Sequence, residues 1–400
     1  MITRPLLECV FSAANIERWN DHPHPAAFTE LGKQAHKMVI AWVLGKNEED
    51  EGHSIDWTKL IEGGIFEFLH RVVVTDIRPP VFHKLMQDRD TRDQLNEWVC
   101  RRLEQDLNAL PGAVVKRFRD YHHFQTPSLE RRILKSAHYL ATKWEFDFIL
   151  HWSAGMYGID ETRQEIEKQI EDVDIPSARE MLLTPKASKL WGFISLVGQL
   201  TFQKRWAQTP RMPQTSVLGH LLFVGIVAYL ASLEIGACPR RLYNNFFCGL
   251  FHDLPEVLTR DIVSPVKASV EGLDALIHRY EQEAMDQRIF PLLPKKWHRE
   301  LRYYTEEEFK NKTWQEDQVD PLQRHVGEIP PEFDRDEYDP MDGQLIEVCD
   351  KLAAYIEASL SIRMGVHPQG LEDGKRRLYE RFSSTILYGY PIGQLFDFFW

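Results

Sequence analysis

The sequence predicts an all-α protein that consists of two similar helical halves. Apolar residues recur at three- and four-residue spacings in long segments of both halves, whereas alternating runs of β-branched residues, which are typical of strands, are few. Short motifs also recur in the same order at an offset of about 185 residues. We therefore expect a tandem pair of helical bundles that arose by internal duplication.

Six segments with helical periodicity carry this prediction. In chain order they are residues 33–44, 94–107, 130–150, 216–233, 272–290 and 345–363. Within the fourth segment, residues 221–233 are apolar on all sides, which is typical of a helix buried inside its domain. This run is shorter than the roughly 18 residues that a membrane span requires, so we expect no membrane partner.

The duplication rests on matched motifs that keep their order along the chain. From first half to second, the pairs are Arg18-Trp19 with Arg205-Trp206, Gly32 with Gly219, residues 76–81 with 261–266, and His138 with Asp350. The change of offset before the last pair places an insertion of about thirty residues in the second half. We predict one domain over residues 1–175 and another over 188–400, with the insertion at about 309–342.

Charge and cysteine content exclude several classes of protein. The formal net charge of −12 argues against a nucleic-acid partner, because such binding rests on clustered Lys and Arg. The five cysteines include no C-x-x-C pair, so we expect neither disulfides nor a thiolate zinc site. The apolar run at the amino terminus is broken at Glu8 and does not resemble a signal peptide. These features favour the cytoplasm.

The acidity is concentrated in and just before the insertion. Residues 305–342 hold thirteen acidic against four basic side chains. Pro330, Pro331 and Pro340 argue against a long helix there. Two interpretations stay open, a lid beside Asp350 or a solvated excursion that may contact another subunit. The second is favoured because charge runs usually face water.

Two histidines and two aspartates of the second half form a candidate metal site. They are His220, the adjacent pair His252-Asp253 that follows an apolar segment, and Asp350 on an amphipathic segment. Imidazole and carboxylate ligands suit a divalent ion, and ligands on different helices of a bundle can converge. A single buried histidine is more often a hydrogen-bonded core residue, so the prediction rests on the set.

These residues resemble the H…HD…D signature of the HD-domain metal-dependent phosphohydrolases. More narrowly, residues 256–267, which read EVLTRDIVSPVK, and the upstream pair Arg205-Trp206 are similar to the YfbR-like 5′-deoxynucleotidases. The resemblance extends from about residue 190 to 382, with the acidic insertion as an interruption. It implies an enzyme that removes phosphate from nucleoside 5′-monophosphates, deoxynucleotides in particular.

The resemblance also implies a role for each matching residue. One divalent ion (Mn, Fe, Co, Ni, Zn or Mg) is expected to bind to His220, His252, Asp253 and Asp350. The metal would neutralise phosphoryl charge and lower the pKa of bound water.

The remaining matches concern acid–base chemistry and substrate binding. Glu256 and Asp261 match the acidic catalytic positions, and one of them would activate water while the other protonates the leaving oxygen. Arg205 is implied to contact the phosphate, and Trp206 to pack on the sugar and disfavour a 2′-hydroxyl. Lys267 is a weaker candidate for an additional phosphate contact.

The first half lacks this ligand set under the same alignment. Its four ligand positions hold Lys33, Glu67, Phe68 and His138. A small shift would place His36 instead of Lys33 at the first position. We therefore expect a catalytically silent copy of the domain.

This silent copy could serve as an internal partner. Arg71 stands at the position of Glu256, whereas Asp76 matches Asp261. Because members of the family are typically homodimers, the two halves are expected to form an intramolecular pseudo-dimer, and a homo-oligomer is also compatible with the resemblance.

Two other functions remain as alternatives. A two-metal HD oxygenase or phosphodiesterase would need further ligands, for which His278, His298 and His325 are the candidates. A non-catalytic nucleotide-binding protein is the other alternative, and the intact ligand set of the second half argues against it.

Overall fold

A computed structural model describes the chain apart from residues 25–26, 76, 78, 125, 172, 261–271, 317 and 319. The helical side chains at positions 79, 80, 83, 170, 171 and 274 are likewise not described. Asp261 and Lys267, two of the predicted site residues, therefore lie outside the described residues, as does Asp76.

The first half is helical, as predicted. Its helices are α1 (Arg4–Ser12), α2 (Glu30–Asp50), α3 (Trp57–Val74), α4 (Pro79–Gln87), α5 (Arg89–Asn108), α6 (Val114–His123), α7 (Leu129–Trp152) and α8 (Ile159–Glu171). Two short antiparallel strands, β1 (Glu17–Arg18) and β2 (Phe28–Thr29), pair ahead of α2. The region of the predicted domain boundary contains one more helix, α9 (Pro176–Leu183), which packs Ala178 and Met181 into the core.

The second half is helical too. Its helices are α10 (Lys189–Gly198), α11 (Val217–Glu234), α12 (Pro239–Phe251), α13 (Glu256–Thr259), α14 (Leu273–Ala284), α15 (Lys295–Thr305), α16 (Gly343–Arg363), α17 (Gln369–Phe382) and α18 (Gln394–Asp397). The strands β3 (Asn311–Trp314) and β4 (Leu322–His325) form an antiparallel hairpin in the insertion. The all-α prediction is confirmed.

The central helix of each half begins in the same way. The hydroxyl of Thr29 accepts a hydrogen bond from the backbone N–H of Gly32 at the start of α2, over 3.2 Å. The hydroxyl of Ser216 accepts the equivalent bond from Gly219 at the start of α11, over 3.1 Å. Such caps satisfy amide groups that have no partner within the helix.

Helix α11 is the centre of the second half. It is long and apolar enough to cross a membrane, but 89% of it is buried inside the protein. A helix that is apolar on every face is the expected core element of a soluble bundle. The burial of α11 therefore accounts for the apolar run in the sequence.

Helices α11 and α12 cross in close contact at two glycines. A Cβ atom on Gly249 would lie 2.7 Å from the Cα atom of Gly225 and 2.8 Å from its nitrogen. No side chain fits at this distance, so the backbones meet directly. The crossing holds the amino-terminal part of α11 and the carboxyl end of α12 in fixed relation.

The two halves share one core. The indole N–H of Trp42 donates to the hydroxyl of Tyr243 over 3.1 Å, and its ring meets that of Trp297 at 5.6 Å. Trp297 in turn donates to Asp50 over 2.9 Å. Buried apolar side chains of both halves belong to a single continuous cluster.

The acidic insertion is neither a long helix nor wholly solvated. The carboxylate of Asp342 is fully buried and accepts two hydrogen bonds from the guanidinium of Arg241, over 2.6 and 2.7 Å. Asp334 binds the same guanidinium at 2.9 Å, and Asp339 binds Arg299 at 2.9 Å. The expectation that these charges face water is wrong for these three acids, because arginines of α12 and α15 compensate them.

We predict that Gly249→Ala disrupts the helix crossing. The added methyl group overlaps the backbone of Gly225, so unfolding in denaturant should show a loss of about 1–3 kcal/mol. The matched control is Gly192→Ala in α10, where the new Cβ atom meets nothing closer than Leu292 at 3.5 Å. That variant should be as stable as the parent or up to about 1 kcal/mol more stable. Equal stability of both variants would contradict the packing argument.

Candidate metal centre

Three helices bring the four predicted ligands together. His220 lies on α11, His252 and Asp253 directly follow α12, and Asp350 lies on α16. One possible ligand atom from each residue falls within 4.8 Å of the others. Both histidines and Asp350 are buried. The glycine crossing of α11 with α12 thus positions the two histidines side by side.

The hydrogen bonds of His252 leave one nitrogen directed at the carboxylates. Its Nδ1 donates to the carbonyl of Gly249 over 2.9 Å, which assigns the proton to Nδ1. Among the described residues the buried Nε2 has no hydrogen-bond partner, and it lies 3.4 Å from Asp253 and 3.9 Å from Asp350. A nitrogen lone pair in this setting fits a metal ion, and the backbone bond orients the ring as in metal-ligating histidines.

The electrostatics of the cluster also favour a cation. Burial alone would lower the pKa of His252, but the carboxylates of Asp253 and Asp350 raise it to about 9. Burial would raise the pKa of Asp253, but the neighbouring His252 holds it well below its usual range. The pKa of Asp350 is likewise low, because Lys351 and His220 outweigh its burial. The buried Asp350 and the half-buried Asp253, both ionised, require compensating positive charge.

Arg205 faces this cluster, as the sequence predicts. Its guanidinium nitrogens lie 3.9 Å from Asp253 and 3.8 Å from Asp350, and its side chain is 13% exposed. These separations are longer than those of a tight bidentate ion pair. The guanidinium therefore lies near both carboxylates of the cluster.

Two further charged residues at the cluster were not predicted. Lys351 binds Asp350 over 2.6 Å. Its position directly after Asp350 in the sequence could have indicated that it lies at the cluster. Glu308 lies at the start of the acidic segment, where its pKa is raised first by burial and then by the charge of Asp253. No sequence pattern marked Glu308, because this residue comes near the cluster only when the chain is folded.

The structure places Glu256 beside the ligands. It is buried at the start of α13, and its backbone N–H donates to the carbonyl of Asp253 over 3.0 Å. Its own carbonyl accepts from Gln203 over 3.1 Å. A single turn therefore connects this carboxylate to the ligand pair.

Trp206 has a clear structural partner. Its indole N–H donates to the buried Glu357 over 2.9 Å. A Cβ atom on Gly374 would lie 3.0 Å from the Trp206 ring, so the indole packs closely against α17. Contact with a sugar stays a prediction.

The candidate ligands for a second metal have other contacts. His298 bonds to the carbonyl of Leu293 over 3.1 Å, and His325 bonds to Thr313 over 2.9 Å. His278 bonds to Gln282 over 2.9 Å. In the part of the chain that the structure describes, the predicted four residues are the group suited to a metal.

We predict that a divalent ion stabilises the protein through these four ligands. Adding Mn²⁺ or Co²⁺ to chelator-stripped protein should raise its Tm, since an ion at a hundred times its Kd contributes about 2.7 kcal/mol. Asp350→Ala should remove this rise in Tm and the bound metal seen by elemental analysis. The exposed Asp160→Ala is the control and should behave as the parent. A full rise in the Asp350 variant would place the ion elsewhere.

Comparison with known families agrees with this geometry. The family model described as HD domain matches residues 197–378, which include all four ligands, Arg205 and Trp206. No curated protein matches the chain. HD domains are usually metal-dependent hydrolases, so the match supports an enzyme that binds a divalent metal and has phosphohydrolase activity in general. The second half of the chain thus matches the HD-domain family.

Proposed function

We propose that the second half is a metal-dependent phosphomonoesterase that hydrolyses nucleoside 5′-monophosphates, deoxynucleotides in particular. The observation that carries the proposal is the buried four-ligand cluster with a guanidinium beside its two carboxylates. The similarity of residues 256–267 to the 5′-deoxynucleotidases supports the substrate class.

His220, His252, Asp253 and Asp350 would hold the divalent ion. When bound, that ion supplies Lewis acidity toward the phosphoryl oxygens and a water of lowered pKa. Nδ1 of His252 keeps its proton on the carbonyl of Gly249, which fixes the ring and leaves Nε2 as the ligand atom.

Arg205 is proposed to bind the phosphate. Its guanidinium offers paired N–H donors that suit a phosphate, and it lies beside Asp253 and Asp350 at the cluster. Lys351 binds the second oxygen of Asp350 and so adds positive charge behind the site. Together the two cations offset the repulsion between a phosphate and the aspartates.

Glu256 is proposed to handle the protons of the reaction. Its buried position one turn after Asp253 suits a carboxylate that accepts a proton from water or donates one to the leaving oxygen. Asp261 is proposed as its acid–base partner on the strength of the resemblance alone.

We also infer that the two halves are copies of one unit. Trp19 donates to Glu145 over 2.8 Å, as Trp206 does to Glu357 over 2.9 Å. Both tryptophans have left-handed backbone angles, with φ of 59° and 57°. The matching helix caps and the shared core support a fused pair that acts as an intramolecular pseudo-dimer. The free cysteines suit the proposed cytoplasmic location.

We predict metal-dependent phosphate release from a panel of deoxy- and ribonucleoside 5′-monophosphates. Asp253→Ala should lower kcat/KM by at least about a thousandfold, since loss of a ligand removes both the metal and its activated water. Asp160→Ala, an exposed substitution in the first half, should keep full activity. If no phosphate is released although the metal is bound, the phosphomonoesterase is excluded.

A further prediction concerns the choice of sugar. Trp206→Phe keeps a ring but loses the hydrogen bond to Glu357, so a ring that packs on the sugar should shift. We expect the ratio of kcat/KM for deoxy- over ribonucleotides to fall by about tenfold, the effect of roughly 1.4 kcal/mol. Trp19→Phe removes the equivalent bond in the first half and should leave the ratio unchanged. If both variants keep the parent ratio, Trp206 has a structural role only.

A further inference from the structure

The first half contains a large polar cavity that the proposed function does not use. Its volume is about 460 Å³, within the range of small-molecule sites. All of its lining residues lie between Arg18 and Gln169, so it belongs to the first half alone. It opens where the metal ligands would be if the halves are copies, since both Glu67 and His138 line it.

Cations occupy the inner end of this cavity. Arg18, Lys37 and Arg71 line it, and the buried Lys33 lies directly behind, in contact with the ring of His138. In the described residues no carboxylate lies within 4.0 Å of the Lys33 ammonium. The inner wall thus holds positive charge in the place where the second half has its metal ligands.

Three acids accompany these cations and are already neutralised by them. Glu30 accepts from Arg18 over 3.0 Å, and Glu145 accepts from Arg18 over the same distance. Glu67 binds Lys37 and also accepts from the hydroxyl of Tyr121 over 2.6 Å. Burial lowers the pKa of Lys33 well below its usual range, so the charged cations of the inner wall are Arg18, Lys37 and Arg71, which equal these three acids in number.

The pKa values of the buried acids report the same sign of potential. Burial would raise the pKa of Glu30, yet Arg18 and the other cations lower it to about 2. The pKa of Glu67 is also lowered against the effect of its burial, chiefly by Lys37. The cations of the inner wall therefore keep these acids ionised despite their burial.

Arg71 is the cation best placed to meet a ligand. Its described polar contacts are long, at 3.8 Å to Glu30 and 3.5 Å to the carbonyl of Ile77. In the second half the matching position is an acid, Glu256. A guanidinium in place of that acid suits binding of a phosphate and not its hydrolysis.

The outer part of the cavity suits a flat ring with a hydrogen-bond donor. Trp19 and Phe82 line it, and the rings of His70 and His122 lie 4.7 Å apart on its wall. The amide oxygen of Gln34 is buried on the same lining, and in the described parts of the chain it has no hydrogen-bond partner. A hydroxyl or amino group of a ligand would satisfy it.

We propose that this cavity is a metal-independent binding site for a phosphate monoester of nucleotide size. The phosphate lies against Arg18, Arg71 and Lys37, and the ring system extends toward Trp19. The first half then binds such a molecule without hydrolysing it, because Glu67 and Phe68 replace the ligand pair His252-Asp253.

The test is a calorimetric titration of the full chain with adenosine 5′-monophosphate in excess chelator. Arg71→Met and Lys37→Met are each expected to weaken binding by at least tenfold, whereas Arg101→Met, at an exposed arginine of α5 outside the cavity lining, leaves it unchanged. Arg71→Lys should restore part of the affinity. Thermal melts check that each variant is folded, and Arg71, which lies partly open to solvent, keeps the test valid if Lys37→Met unfolds.

Either of two results would overturn the proposal. One is the lack of saturable binding in chelator for both adenosine 5′-monophosphate and inorganic phosphate. The other is binding that Arg205→Met abolishes and Arg71→Met leaves intact, since the molecule would then occupy the second half. Because the chelator removes the metal, the outcome is independent of whether the second half proves to be a phosphomonoesterase.

Discussion

Compensation of buried carboxylates is the constraint on which this structure depends. An ionised acid inside a protein is stable only beside a cation. The chain meets this requirement in three places with different cations. Arg241 neutralises Asp342 in the insertion, and Arg18 neutralises Glu30 and Glu145 in the first half. At the candidate metal centre, Arg205 and Lys351 lie beside the aspartates, and a divalent ion would add further positive charge.

The different cations beside the buried acids explain how two similar halves can do different chemistry. In each half a tryptophan donates a hydrogen bond to a glutamate, Trp19 to Glu145 on α7 and Trp206 to Glu357 on α16. These contacts maintain the fold and are independent of the ligands. Under the proposed duplication, replacement of the ligand set by Lys33, Glu67 and His138 would leave the bundle intact while removing the metal. Ammonium and guanidinium groups of the chain itself would then take the place of the ion's charge.

The sequence predicted the helical class and the four converging ligands, because both leave short-range or paired signals. The periodicity placed helices within α2 and α11, and the adjacent His252-Asp253 pair marked the end of α12. Contacts that exist only after folding left no such signal. The close backbone crossing at Gly249, the return of Glu308 to the site and the burial of Asp342 against Arg241 all join distant segments. For this reason the sequence predicted that the acidic run faces water, although some of its residues are buried in the folded protein.

The insertion also contributes to the positions of the candidate ligands. It leaves the bundle after α15 and returns at the start of α16, only eight residues before Asp350. The buried carboxylate of Asp342 accepts a hydrogen bond from Arg241 on α12, and His252 directly follows this helix. The insertion therefore connects α12, which His252 directly follows, with the start of α16, which carries Asp350. The glycine crossing fixes the distance between α11 and α12, and the contact of Asp342 with Arg241 fixes that between α12 and α16. Both contacts lie outside the cluster, so packing holds the candidate ligands together in addition to the 2.8 Å hydrogen bond between His220 and Asp350.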